Sequence, residues 1–351
     1  MGRGQFTGVS KFLANPDHLQ LTMEAISKEA LTTSEIEGEL LDRASVQSSI
    51  RKQFGLVTDR RRVKPAEQGV AEMMVDLYRN FATPLTEEML FGWHRILMQG
   101  RDLKEIGQYR SGVEPMQIIS RAGISSVRGP RVHFEAPPSG RVAGEMTRFV
   151  EWFNATSGKL PSLTRAGIAH LYFESIHPFE DGNGRIGRAI SSKALAQGAG
   201  EPTLMALSAT LLVRRKAYYS QLEAASKSNN LTTWLKWFAA IGLEAQQRTE
   251  AQVEFMIGKT RLLDRLQGDL NQRQLKALLR MLREGPDGFE GGLSAGNYAT
   301  ITGASPATTT RDLVELVEKG ALVRTGERRH ARYSIAIPLR YVGPVRIDKL
   351  L

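Results

Sequence analysis

Residues 177–188 of the 351-residue chain read HPFEDGNGRIGR. His177 has an ordinary pKa of about 6.5, suited to taking a proton from a hydroxyl near neutrality. Pro178 disfavours helical geometry in the residue before it, so a preceding helix should stop there and leave the imidazole at a helix–loop junction. Gly182 and Gly184 permit positive φ angles, which lets successive backbone N–H groups converge on an anion. A helix starting near Arg185 would add the donors and the dipole of its N-terminus. Arg185 and Arg188 are three residues apart on that helix and can grip one polyphosphate from the same side. Asp181 supplies a hard oxygen ligand of the kind that suits Mg²⁺ bridging phosphates. Together these residue types describe a nucleoside triphosphate site with a general base beside it.

Helices and loops must hold these groups in place, and their periodicity is legible along the chain. Leu19, Met23, Ile26, Ala30 and Leu31 recur at helical spacing through 19–37, and Gly38 follows as a stop signal. A second helical pattern begins near Ala66, with Val70, Met74, Leu77, Tyr78 and Phe81 on one face. It resumes past Pro84 in LTEEMLFGWHRIL. Gly, Pro, Ser and β-branched residues from Gly107 to Gly140 predict loops and a short hairpin. Helices are predicted at 141–153, 163–176, 185–197, 208–227 and 231–264, the last with a break left open. His170, seven residues before His177, reads as core and not as half of a metal pair. Gly258-Lys259-Thr260 has the end of a nucleotide-binding loop but Val253 at its first glycine position, which rejects that motif.

After about residue 268 the style changes. LNQRQLKALLRMLRE is amphipathic, and Ser305-Pro306 is an N-cap with proline at the first helical position. The helix SPATTTRDLVELVEKG follows, then two strand-like runs, ALVRT and ARYSIAI, joined by GERRH. That order is a winged helix-turn-helix pattern. The wing carries Arg328, Arg329, His330 and Arg332, but Asp312, Glu315 and Glu318 make the helix a poor phosphate-facing surface. DNA binding, protein docking and homodimer packing stay open for it.

The bulk numbers exclude whole classes. The net charge of +10 and pI of about 9.8 fit acidic partners such as nucleotides or nucleic acid. With no cysteine there is neither a disulfide nor a thiolate metal site. No apolar run approaches the roughly 20 residues of a membrane span, and the N-terminus lacks a signal-peptide core. A cytoplasmic protein with no membrane partner is expected. The opening MGRGQFTG has little periodicity and reads as an added or clipped start.

HPFEDGNGRIGR resembles the defining motif of Fic-domain proteins, HPFxxGNGRxxR, with every fixed position present. The 24–38 helix, the hairpin before the motif and the winged-helix tail also resemble a widespread bacterial Fic architecture. The resemblance implies transfer of AMP from ATP to a hydroxyl of a target protein. His177 would be the base, Asp181 the Mg²⁺ ligand, and Asn183 with the loop amides of Gly182 and Gly184 the α- and β-phosphate donors. Arg185 would hold the β side and Arg188 the γ-phosphate. Glycine at 184, where the Doc-like kinase branch has lysine, favours AMP transfer over phosphate transfer. Taken singly, the same residues are a surface histidine, a turn aspartate and a solvated arginine.

Three further segments take meaning from the resemblance. The alternating Val132-His133-Phe134-Glu135-Ala136 corresponds to the flap, a strand edge that docks the target by main-chain hydrogen bonds. Tyr218 and Tyr219 lie where relatives line the adenine and ribose; adjacent helical residues point about 100° apart, so one of the two should contribute. TSEIEG, residues 33–38, and the next residue crowd Glu35, Glu37 and Glu39 at a helix C-terminus, where negative charge opposes the dipole by roughly 0.3–1 kcal/mol each. It also matches the Fic inhibitory motif at Thr33, Glu37 and Gly38, which implies that Glu37 pairs with Arg188 and blocks the γ-phosphate position.

The expected fold is mainly α, a Fic-type helical core with a β-hairpin flap plus a small C-terminal winged helix-turn-helix domain. Its expected parts are an N-terminal helical region at 1–65, a catalytic core at 66–240 and a helical connector at 241–267. The winged domain at 268–341 and a tail at 342–351 complete it. The leading function is an autoinhibited AMP-transferase using ATP and Mg²⁺. The alternatives are a bifunctional enzyme in which Glu37 positions water to remove AMP, and a nucleotide-sensing DNA-binding regulator.

Overall fold

The computed structural model describes residues 15–58, 62–119, 132–203, 205–289, 291–338, 340 and 342–345. The opening MGRGQFTG and residues 346–351 of the tail lie outside them. The first helix, α1 (Asn15–Ile36), buries Leu21, Met23, Ile26, Ala30 and Ile36. A helix that periodicity did not announce, α2 (Arg43–Gln53), follows; Asp42 caps it by accepting from the Ser45 N–H at 2.9 Å. Its face is lined with Ser45, Ser48 and Ser49, so only Val46 and Ile50 betray the apolar stripe. Next come α3 (Pro65–Arg79) and α4 (Glu87–Leu97), the first opened by proline and the second by a Thr86 cap.

The hairpin is β1 (Gln117–Ile119) with β2 (Val132–Glu135), antiparallel, pairing Ile118 with Phe134 and Ile119 with Val132. Then α5 (Ser139–Ala155), α6 (Ser162–Ile176) and α7 (Asn183–Ala199) form the centre of the core. Phe149, Phe153, Phe173 and Phe179 are fully buried there, and each such side chain contributes roughly 1.5–3 kcal/mol of transfer free energy. The span predicted as one helix at 208–227 divides at Arg214 into α8 (Leu207–Val213) and α9 (Arg215–Ala225). Both carboxylate oxygens of Glu29, on α1, accept from the Ser208 N–H at 2.8 and 2.9 Å, which ties α1 to the start of α8. The span 231–264 is one continuous helix, α10 (Thr232–Arg265), and Gly258-Lys259-Thr260 lies inside it.

The described residues up to 246, with 344 and 345, form one compact unit, and those from 247 to 343 a second. The second contains α11 (Gln272–Leu282), α12 (Ala295–Thr302) and α13 (Pro306–Glu318), then the antiparallel pair β3 (Leu322–Thr325) and β4 (Arg332–Ile335). Leu278, Met281, Tyr298, Leu313, Leu316 and Leu322 form its core. Asp312 is buried, bound by Arg273 at 2.9 Å and the Tyr298 hydroxyl at 3.0 Å. It therefore does not belong to the outward face of α13, contrary to the sequence expectation. No described helix is long and apolar enough to cross a membrane.

Candidate active site

The motif loop is built as its residue types demand. Helix α6 ends at Ile176, and His177 caps it in the left-handed region at φ 51°, a conformation that costs a non-glycine residue free energy. Arg110, buried and unanticipated from sequence, holds that turn. Its Nε donates to the His177 carbonyl at 2.8 Å and its guanidinium also donates to the Pro137 carbonyl at the end of the hairpin. Gly182 takes φ 84°, and α7 starts at Asn183, two residues earlier than expected. The Asn183 side chain faces into the loop, accepting from the Phe179 N–H at 2.9 Å and donating to the Phe179 carbonyl at 2.8 Å. It shapes the loop, and the main-chain donors of the first turn face outward from it for an anion. His94 braces the other side. Its Nδ1 accepts from the Gly107 N–H at 2.8 Å, which leaves Nε2 to donate to the Asp181 carbonyl at 3.2 Å.

Burial holds the His177 pKa down at about 4, so the imidazole is neutral at physiological pH. Neighbouring Glu174 goes the other way: burial, then the Glu37 charge, push it up to about 8. Its Oε2 is 3.9 Å from His177 Nδ1.

The arginines are not idle. Arg188, 1% exposed, donates from Nη2 to Glu37 Oε1 at 2.7 Å and to the Thr33 carbonyl at 2.8 Å, and from Nε to the Thr33 hydroxyl at 2.8 Å. Burial works against its charge, yet the Glu37 carboxylate together with Tyr218 and Glu174 raises its pKa. Gly38 makes this approach by leaving α1 at φ 86°, with Glu39 N–H donating back to the Ser34 carbonyl. The Glu37 carboxylate lies over Gly184, where a Cβ would meet Oε1 at 2.3 Å and Arg188 Nη1 at 3.0 Å. Lysine at 184 could not coexist with this contact. Thr33, Glu37, Gly38, Gly184 and Arg188 are thus brought together. Arg185 is paired too, with Glu39 at 2.7 Å and Asp181 at 3.5 Å.

A cavity of about 660 Å³ opens beside the loop, lined among others by Glu37, Phe134, Glu174, His177, Gly184 and Tyr219. Tyr219 is 42% exposed and its hydroxyl donates to the Ile36 carbonyl at 3.2 Å. Tyr218 is buried in the cavity wall, its hydroxyl 2.7 Å from Nε2 of His170. Tyr219 is the more exposed ring of the two, with the Arg215 guanidinium over it at 6.0 Å, and His170 is core, its pKa driven down to about 3 by burial. The hairpin reaches His177: the Phe134 ring centre is 6.4 Å from that of the imidazole. Val132 and His133 lie on the same strand, β2.

The helical core, the hairpin and a phosphate-type helix N-terminus next to a neutral histidine define the Fic fold. Residues 84–195 match the family model "Fic/DOC family". Residues 1–56 match a domain of unknown function, DUF4172. Curated relatives named Protein adenylyltransferase Fic, from Drosophila willistoni and Culex quinquefasciatus, are 32% identical over 94 residues. That stretch is 26% of this chain and only 18% of each relative's own length. A Fic family protein from Desulfovibrio desulfuricans G20 shares the fold with a TM-score of 0.53 at 21% identity, over 95% of this chain and 93% of its own. A Fic domain containing signaling protein from Bacteroides thetaiotaomicron does so with a TM-score of 0.55 at 18% identity, over 74% and 97%.

Proposed function

We propose that the protein transfers AMP from ATP to a hydroxyl side chain of a target protein, and that the form described here is switched off by Glu37. The observation that carries this is the ion pair between Glu37 and Arg188 in front of a neutral His177. In the proposed reaction His177 takes the proton of the target hydroxyl, and the oxygen attacks the α-phosphorus. The bond from that phosphorus to the bridging oxygen breaks, and pyrophosphate leaves. Main-chain donors at the start of α7, with Arg185 and Arg188, neutralise the charge that develops. The name of the curated relatives supports the same chemistry.

Mg²⁺ would supply charge neutralisation on the phosphates, and Asp181 would hold it. One carboxylate, 42% exposed and next to the phosphate-binding turn, fits a cation that takes one or two carboxylates and otherwise phosphate oxygens and water. Phe134 and the rest of β2 would lay a target segment beside His177 by strand addition. Val132 and His133 would donate and accept along that edge. Tyr219 would give the purine a ring face. The three helices and hairpin of residues 268–341 would act as a winged helix for a protein or nucleic-acid partner.

Mass spectrometry of the full chain and of a lysate, each incubated with ATP and Mg²⁺, tests the activity. Adenylylated protein, increased in the Glu37→Gly variant, is the expected result. Phosphorylated protein in its place, or no modification by either form, would overturn the assignment.

A further inference from the structure

Glu39 was part of a crowded charge run in the sequence and Arg101 had no assigned role. The fold joins them. Arg101 follows α4, and its Nη2 donates to Glu39 Oε1 at 2.5 Å. The other oxygen of the same carboxylate, Oε2, accepts from Arg185 Nη1 at 2.7 Å. One carboxylate therefore bridges two guanidinium groups, one oxygen to each, as an oxyanion of a phosphate would. Arg185 is 3% exposed and stands in the first turn of α7, where main-chain donors also favour an anion.

The bridging carboxylate leaves donors over. Arg101 Nε, Arg185 Nε and Arg188 Nη1 are buried and have no acceptor among the described residues. Buried N–H groups without partners are rare and costly, and three of them on the arginines paired with Glu37 and Glu39 suit a ligand with more oxygens than two carboxylates provide. Charge agrees. Arg101, Arg185 and Arg188 carry three positive charges, and Glu37, Glu39 and Asp181 carry three negative ones, so the closed arrangement is neutral. Withdrawal of Glu37 alone leaves an excess of one positive charge, and withdrawal of both glutamates an excess of two. The second arrangement suits a polyphosphate better than the first.

We infer that Arg101 joins Arg185, already expected on the β side, in holding one phosphate of the nucleotide, and that Glu39 is the built-in anion filling this subsite in the closed form. This rests on the nucleotide-binding part of the proposed function. Glu37 and Glu39 flank Gly38 on one turn after α1, so a single displacement of residues 37–39 empties both arginine sites. Loss of Glu37 alone leaves one subsite blocked.

The test measures binding of inorganic tripolyphosphate and of adenosine to the full chain by calorimetry. In a Glu37→Gly background, adding Glu39→Gln should tighten tripolyphosphate binding about tenfold, the order of one charge-assisted contact, and leave adenosine unchanged. Adding Arg101→Ala to that pair should remove the gain, and Arg101→Lys should restore part of it. A carboxylate that only fastens α1 to the core would move both ligands or neither. No gain from Glu39→Gln, or a gain that survives Arg101→Ala in protein with an unchanged far-ultraviolet spectrum, overturns the inference. If tripolyphosphate behaves as expected but no AMP is transferred, the proposed reaction fails and the subsite stands. If Glu37→Gly transfers AMP and Glu39→Gln changes neither ligand, the reaction stands and the subsite fails.

Discussion

Replacing Glu37 with glycine tests the mechanism most directly. The carboxylate makes one charge-assisted hydrogen bond to Arg188 at 2.7 Å, and its side chain is 32% exposed. Hydrogen bonds to charged groups are worth about 1.5–3 kcal/mol, and solvent screening at this exposure argues for the lower end. At about 1.4 kcal/mol per tenfold, productive ATP binding should rise on the order of tenfold. Arg188 does not swing free, because the Thr33 hydroxyl and carbonyl still hold its Nε and Nη2 at 2.8 Å. That keeps the guanidinium in place for the γ-phosphate, so the gain should appear in the affinity for ATP more than for AMP. The assay is incorporation of labelled AMP into the chain itself with ATP as the varied substrate, alongside calorimetric affinities for ATP and AMP. Since the effect runs through Arg188, combining Glu37→Gly with Arg188→Ala should lose most of the gain. No activation in the single variant would return TSEIEG to a solvated helix end. Full activation in the double variant would show that Glu37 acts by another route.

The other expectations concern the base and the metal. In the Glu37→Gly background, His177→Ala should lower transfer by about 10²–10⁴ while ATP affinity, read by calorimetry, stays within a few fold. Retained transfer would remove His177 from the base role. The acid limb of kcat/KM should lie well below the usual imidazole value of about 6.5, because burial holds the His177 pKa near 4 and the free base survives as pH falls. Loss of the Glu37 charge, which raises that pKa, should shift the limb lower still. A limb at the ordinary histidine value would contradict a buried base. Asp181→Asn should move the Mg²⁺ titration at fixed ATP to higher metal concentration, since a neutral amide binds a hard cation more weakly. An unmoved titration would leave Asp181 as a turn residue.

Much of the site was legible because it is local. HPFEDGNGRIGR encodes its own helix stop, its turn and its helix start within twelve residues, and the backbone follows that chemistry at His177, Gly182 and Asn183. Thr33, Glu37 and Gly38 were readable as a motif, and their expected partner Arg188 is the partner observed. Caps at Thr86 and Ser305 likewise mark their helices in the sequence itself. The small polar face of α2 hid that helix from periodicity, although its cap, Asp42, stood in plain view. Burial decided matters that residue type left open. It left Tyr219 exposed and put Tyr218 in the wall, lowered the His177 pKa and raised that of Glu174, and took Asp312 off the surface. Partnership across the chain was hidden altogether. Arg110 reaches 67 residues to the His177 carbonyl, and Glu39 reaches 146 residues to Arg185. A helix stop or a cap depends on neighbours a few bonds away and so is written in order of sequence. An ion pair depends on which surfaces the buried apolar side chains press together, and that is fixed only when the whole core has packed.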